Sequence, residues 1–360
     1  MASRGGSLIG VGLRAHRSRG IGDRPILLLG VGLLALIVAL IVGVGLGSVA
    51  VAPGDTVGIL ANRLLGLDMP RTWSDAAETI VLELRLPRVL TSMLVGCALA
   101  VAGATYQGLL RNPLADPYVL GTASGAALGA AIAVIIPIRI VVLEFGLLHG
   151  LAFVGALAAI YTVYRLSRVS GLAPLTSLLL TGYAVGSLLA AGLAMAMYLS
   201  GAALRQIFIY LLGSFDAATW ARLGGAAPIV VLGCAAIMFR ARSLNGLLLG
   251  EQAAAHLGID VRRERAILLA LASLVTAAAV AISGLIGFVG LVVPHVVRLI
   301  VGPSARAVLP ISAIGGAALL AYADLVARML GEIPVGVVTA VLGAPFFLLI
   351  LRRARTGYEV

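Results

Sequence analysis

Lysine is absent from this sequence, and all 26 basic residues are arginine. A P-loop of the G-x-x-x-x-G-K-[ST] type needs its lysine to reach the terminal phosphates of a nucleotide. The chain therefore does not carry that ATPase site itself, and an ATP-driven role requires a partner subunit. Charge is scarce, at 11% of residues against about 25% in a soluble domain. Cysteine is nearly missing. Cys97 and Cys234 sit far apart inside apolar runs, which excludes a disulfide framework or a zinc cluster and makes each a packing residue. His16, His149, His256 and His295 are scattered without ligand spacing. No G-x-S-x-G elbow, H-E-x-x-H helix or acidic calcium loop occurs, so an enzyme is left without a catalytic constellation.

What is present is apolar. Hydrophobic residues make up 61% of the 360 and mean hydropathy is +1.10. No soluble fold of this length covers so much apolar surface, so the membrane is the solvent that fits. A helix needs about 20 apolar residues to cross a hydrocarbon core of about 30 Å. Ten such spans are predicted, at 26–49, 88–110, 118–138, 147–164, 175–199, 223–239, 266–283, 286–301, 307–327 and 335–351. The fold class is all-α. The spans form one permease domain over 26–352, with cytoplasmic tails at 1–25 and 353–360. The first apolar run exceeds the about 7–15 residues of a signal peptide's core, so it is expected to be a retained helix. With the N-terminus inside, eighteen arginines fall on the cytoplasmic side and eight outside, which favours both termini inside. The basic charge is thereby an orientation signal; no aromatic-basic interleaving suggests nucleic acid. Asp324 is the only carboxylate well inside a span, and it is expected to be hydrogen-bonded structure.

Four stretches stand out. Leu84-Arg85-Leu86-Pro87-Arg88 precedes the second span, and Gln107-Gly108-Leu109-Leu110-Arg111-Asn112-Pro113-Leu114-Ala115-Asp116-Pro117 follows it. Two arginines stand at its outer mouth, and the prolines stop it at its inner end. Next, 244–259 lies in the longest cytoplasmic loop, where Gly250 and Gly258 bracket a short helix-forming piece suited to docking a cytoplasmic partner. Third, 284–298 runs from Gly284 through Pro294 and His295 to Arg298, with glycines that permit a broken helix. Fourth, 332–347 opens the last span with Glu332-Ile333-Pro334.

Together, in this order and spacing, these stretches resemble the permease family of importers for iron-siderophores, haem and cobalamin, the FecCD type. The resemblance covers about 26–352. It implies a type II ABC importer permease of the bacterial inner membrane, with ten helices and both termini in the cytoplasm. It also implies a homodimer with two copies of a cytoplasmic ATPase, which binds the ATP, and a periplasmic or lipid-anchored substrate-binding protein. The permease itself needs no cofactor or metal. Carried over by position, Arg85, Arg88 and Arg328 would face outward and meet carboxylates on the binding protein. Asn112 and Leu114 would form one half of a cytoplasmic gate, and Leu175 and Thr176, beside Pro174, the other. Gly250, Glu251, Ala254, Leu257 and Gly258 would belong to the coupling helix, with Glu251 offering a polar contact to the ATPase. Tyr106, Gln107, Met195 and Met197 are candidates to line the path, with core packing the stronger expectation for each. Iron-siderophore stands first among cargoes as the commonest in the family, haem second and cobalamin third. A secondary carrier working alone is the rival from another class, and the scarcity of intramembrane acids speaks against it.

Overall fold

The computed structural model describes residues 25–356 except 48, 137, 139–140, 143–144 and 169–174. The two tails, Arg139 and Pro174 lie outside the described residues, apart from the helical backbone of 353–356. Each of the ten predicted spans holds one helix. In chain order these are α1 (Pro25–Gly45), α4 (Leu86–Leu109), α5 (Thr122–Ile135), α6 (Leu147–Leu166), α7 (Leu175–Leu199), α9 (Trp220–Phe239), α12 (Val261–Ser283), α13 (Val289–Val301), α14 (Ala305–Met329) and α15 (Val335–Thr356). Between them lie shorter helices that hydropathy alone does not separate from loop: α2 (Pro53–Leu65), α3 (Asp75–Thr79), α8 (Leu204–Leu212), α10 (Ala241–Leu248) and α11 (Glu251–His256). A hairpin of two-residue strands, β1 (Val141–Val142) and β2 (Phe145–Gly146), precedes α6.

Seven of the described helices are long and apolar enough to cross a membrane. α5 and α13 are shorter, with 14 and 13 residues, or about 20 Å of rise each. The deficit at α13 is made up by irregular chain. Its backbone enters through Gly284 at φ 71° and Phe288 at φ 69°. Unwound backbone at membrane depth requires partners inside the protein, and they are present. The Ser214 amide donates to Ser283 O at 2.9 Å, the Leu285 amide to Tyr210 O at 3.3 Å, and the Tyr118 hydroxyl to Ile286 O at 3.0 Å. The predicted span 286–301 thus holds a helix only from Val289, and the predicted 223–239 begins earlier, at Trp220, and runs through Pro228.

Helix α4 is the centre of the bundle and packs against α14, α12, α13 and α9. It starts as a wider π-type turn over Ile80–Arg85, where the Leu86 amide bonds to Val81 O. Pro87 explains this: it has no N–H, and its ring displaces the carbonyl four residues back. The helix therefore continues N-terminal to Pro87 as far as Asp75 instead of starting at Arg88. Small residues let backbones touch, as expected between helices in lipid. A Cβ at Gly96 would stand 2.1 Å from Gly316 O on α14, and one at Gly103 only 1.8 Å from Gly290 O on α13. The same holds for Gly125 of α5 against Gly155 of α6, at 2.3 Å. Cys97 and Cys234, far apart in the sequence, pack into one core where α4 meets α9.

Candidate docking, gate and coupling sites

At the Arg88 end of α4, two arginines, Arg88 and Arg328, converge on one acid, with Arg85 beside them. Arg88 donates Nε and Nη2 to Asp324 Oδ1 at 3.0 and 2.9 Å. One turn along α14, Arg328 Nε lies 3.1 Å from Asp324 Oδ2. Asp324 is fully buried. A buried carboxylate is tolerated when its charge is matched and its oxygens are bonded: Arg88 bonds both oxygens, and Arg328 adds a second cation. Arg328 then reaches α1, donating Nη2 to Gly43 O at 2.7 Å and Nη1 to Leu46 O at 3.0 Å. Arg85 donates Nη1 to Gly45 O at 2.9 Å and Nη2 to Val49 O. Both cations thus sit on the unpaired carbonyls at the C-terminal end of α1, where positive charge is favoured. They fix α1 to the bundle, as does Tyr322, whose hydroxyl donates to Ala35 O at 3.2 Å.

The expectation that all three arginines face outward is corrected here. Arg85 and Arg328 are buried, with 6% and 7% exposure, because α1 offers them carbonyls. Arg88 is half-buried, and its Nη1 meets the exposed Asp216 at 2.8 Å. The three nonetheless line one pocket of about 300 Å³, together with Phe215, Asp216 and Glu332.

At the opposite end, α4 closes in a Schellman motif: the Arg111 amide bonds to Gly108 O at 3.3 Å and the Asn112 amide to Gln107 O at 3.1 Å. The left-handed position of this motif is usually glycine, yet Arg111 occupies it at φ 47°. Asn112 is exposed, and its Oδ1 accepts from the Leu114 amide at 2.9 Å. Asp116 accepts from the Tyr118 amide at 2.8 Å, and burial of this loop carboxyl pushes its pKa up to about 6. Leu175 is half-buried and Thr176 exposed at the start of α7. No hydrogen bond joins these two to Asn112 or Leu114 among the described residues.

Tyr106 and Gln107 do not line an open path. The Tyr106 hydroxyl is 2.7 Å from Ser273 Oγ. Gln107 donates to Leu291 O at 3.1 Å and accepts from Arg298 Nη1 at 2.8 Å, which ties α4 to α13. Met197 packs inside, whereas Met195 is 60% exposed and departs from the packing expectation.

The segment expected to serve in coupling is the helix α11. Gly250 caps it at φ 108° and Gly258 ends it at φ 78°. Its end is a Schellman motif with glycine in the left-handed position: the Ile259 amide bonds to Ala254 O at 3.1 Å and the Gly258 amide to Ala255 O at 2.9 Å. Ala254 is buried in the core and Leu257 is 64% exposed. Glu251 is not a free contact as expected; it pairs with Arg265 of α12 at 2.5 Å. His256 is exposed. Asn245 of α10 accepts from the Ala305 amide at 2.7 Å, capping α14 from outside. Asp216, Arg265 and Arg298 carry these contacts without any sequence signal, since each reads locally as an ordinary loop or flank charge.

The profile of the FecCD transport family matches residues 35–353. The chain belongs to that family. A cobalamin import permease, BtuC of Halobacterium salinarum, is 46% identical over 77% of this chain and 74% of its own length. A hemin transport permease, HmuU of Yersinia pestis, is 43% identical over 81% of this chain and 90% of its own. A solved metal-chelate type ABC transporter in an inward-facing conformation superposes with TM-score 0.77 at 29% identity, covering 91% of this chain and 99% of that one. This FecCD chain is accordingly the membrane permease of an ABC importer, of type II architecture and not itself an enzyme. That role implies an ATPase and a substrate-binding protein as partners.

Proposed function

We propose that this FecCD permease carries a ferric siderophore across the cytoplasmic membrane by alternating access. The observation that carries the proposal is the family match from α1 to α15, joined to a metal-chelate type structural neighbour. Haem or cobalamin is the second reading, favoured by the cargoes in the names of its two relatives. Two copies would face each other across α7, whose Leu180, Tyr183, Leu188, Met195 and Tyr198 are all exposed by 60% or more. Asn112 and Leu114 of one copy would then approach Leu175 and Thr176 of the other to form the cytoplasmic gate. Both termini would lie in the cytoplasm, as the arginine bias supports.

Two ATPases would seat α11, with Leu257 as the apolar contact between Gly250 and Gly258 and Glu251 holding the helix to α12. The binding protein would dock a carboxylate at Arg88, with Arg85 and Arg328 as the buried floor that fixes α1 beneath it; bidentate donors suit such a contact. Uptake of radioactive ferric siderophore by iron-starved host cells tests the cargo. Collapse of uptake in the deletion, restored by complementation, supports siderophore. Unchanged siderophore uptake with loss of haem or cobalamin uptake replaces it with the second reading.

A further inference from the structure

The arginine-lined pocket contains an acid to which the importer reading gives no task. Asp216 stands in the segment between α8 and α9, with its side chain 53% exposed, and it pairs with Arg88 Nη1 at 2.8 Å. The other edge of the same guanidinium is fixed on Asp324, whose side chain is 1% exposed. The two acids are therefore not equivalent. Asp324 cannot leave without stranding buried charge, whereas Asp216 can turn into water while Arg88, 13% exposed, keeps Asp324 as its counter-charge. The segment around Asp216 is anchored on both sides. Ser214 N donates to Ser283 O at 2.9 Å, Gly336 N donates to Gly213 O at 3.4 Å, and Trp220 Nε1 donates to Leu82 O at 2.9 Å. Between those anchors, at the tip, Phe215, Asp216 and Ala218 form part of the pocket wall, with the Phe215 ring buried in the core and Ala217 O accepting from Arg222 Nη1. Glu332 lines the pocket too, and Arg85 and Arg328 are committed to carbonyls of the α1 end. Arg88 Nη1 is thus the position where an incoming acid meets a resident one.

We propose that Asp216 is an internal stand-in for a partner's carboxylate: it holds the α8–α9 tip over the pocket until an acidic side chain of an extracytoplasmic protein takes its place on Arg88. The inference rests on the importer reading for the identity of that partner, and on the Arg88 geometry alone for the latch. Exchange of the acid would convert docking at the rim into release of the tip. The tip adjoins the unwound entry to α13, through Ser214 on Ser283 and Gly213 against Leu285.

Hydrogen–deuterium exchange of residues 213–219 in the purified permease–ATPase complex in nanodiscs tests the latch. Asp216→Asn keeps the shape and removes the charge. It is expected to speed exchange of this segment by about two- to fivefold, the range of an exposed ion pair, and to leave the rest of the chain unchanged. Asp216→Glu should restore protection. A hexaglutamate peptide, used as the probe, should speed the same segment in the wild type and add nothing in the Asn variant, while hexaglutamine does neither. Unaltered exchange in the Asn variant overturns the latch, and a wild type indifferent to saturating hexaglutamate overturns the carboxylate exchange. Failure of the importer reading shows separately, as no ATP-dependent uptake by the wild-type complex in proteoliposomes, and leaves the exchange result standing.

Discussion

Asp324 neutralises two guanidinium groups, those of Arg88 and Arg328, and Arg328 in turn holds α1. Replacing it with alanine leaves Arg88 and Arg328 facing each other with no buried counter-charge. The expected cost is about 3–5 kcal/mol, read as a fall in the unfolding midpoint in detergent, with Asp324→Asn falling less. A midpoint within error of wild type would mean the cluster is not a structural clamp. Asp116 behaves in the opposite sense. Its pKa is raised from 3.8 to about 6 in the folded chain, so between those values the folded state binds more protons than the unfolded one. Stability from this group is therefore gained as pH falls through about 6 and is lost above it. Asp116→Asn removes the dependence while retaining the acceptor for the Tyr118 amide. The variant should melt higher than wild type at pH 7.5, with the gap narrowing as pH falls through about 6 and closing only below 3.8; parallel melting profiles across that range would refute the assignment.

Elements in this bundle are positioned by contact between bare backbones. At the α4–α13 crossing a methyl group on Gly103 would overlap Gly290 O, which is backbone and cannot swing aside. Gly103→Val is expected to abolish stable expression, since even well-tolerated overpacking costs about 1–3 kcal/mol. Gly30, with open space around it, should accept the same change, and equal yields of the two variants would argue against a tight crossing. The small-residue runs of α4 and α5 are visible in the sequence as a class. Which glycine meets which is not, because the pairing depends on crossing points set by ten helices at once. The helices α2, α8 and α10 escape a hydropathy window for another reason. They lie between spans, and their amphipathic faces acquire meaning only against neighbours that the window does not see.

At the scale of the molecule the two ends do different work. One end presents α11 with its exposed Leu257, while Ala254 anchors the helix in the core and Glu251 pairs with Arg265. A rigid element of this kind can pass motion from an ATPase into α12. Gly258→Val imposes a left-handed φ on a β-branched residue and should disturb the helix end without reaching the bundle. In the reconstituted complex, ATP hydrolysis should persist while uptake per ATP falls at least several-fold, in line with the about 1–3 kcal/mol of a strained residue. Intact coupling would remove α11 from the transmission.

The sequence by itself determined that the chain spans a membrane about ten times, that it lacks the lysine of a P-loop, and that four ordered motifs place it among importer permeases. Hydropathy and motif are local and additive, so a window along the chain reads them. Tertiary structure alone decided where the arginines point. Arg88 and Asp324 stand 236 residues apart, and nothing near either one announces the other. Two outward-facing docking residues became buried clamps because the end of α1 came to rest beside them with unpaired carbonyls. A buried cation goes where its partners are, and only the packing of the helices settles which partners are near.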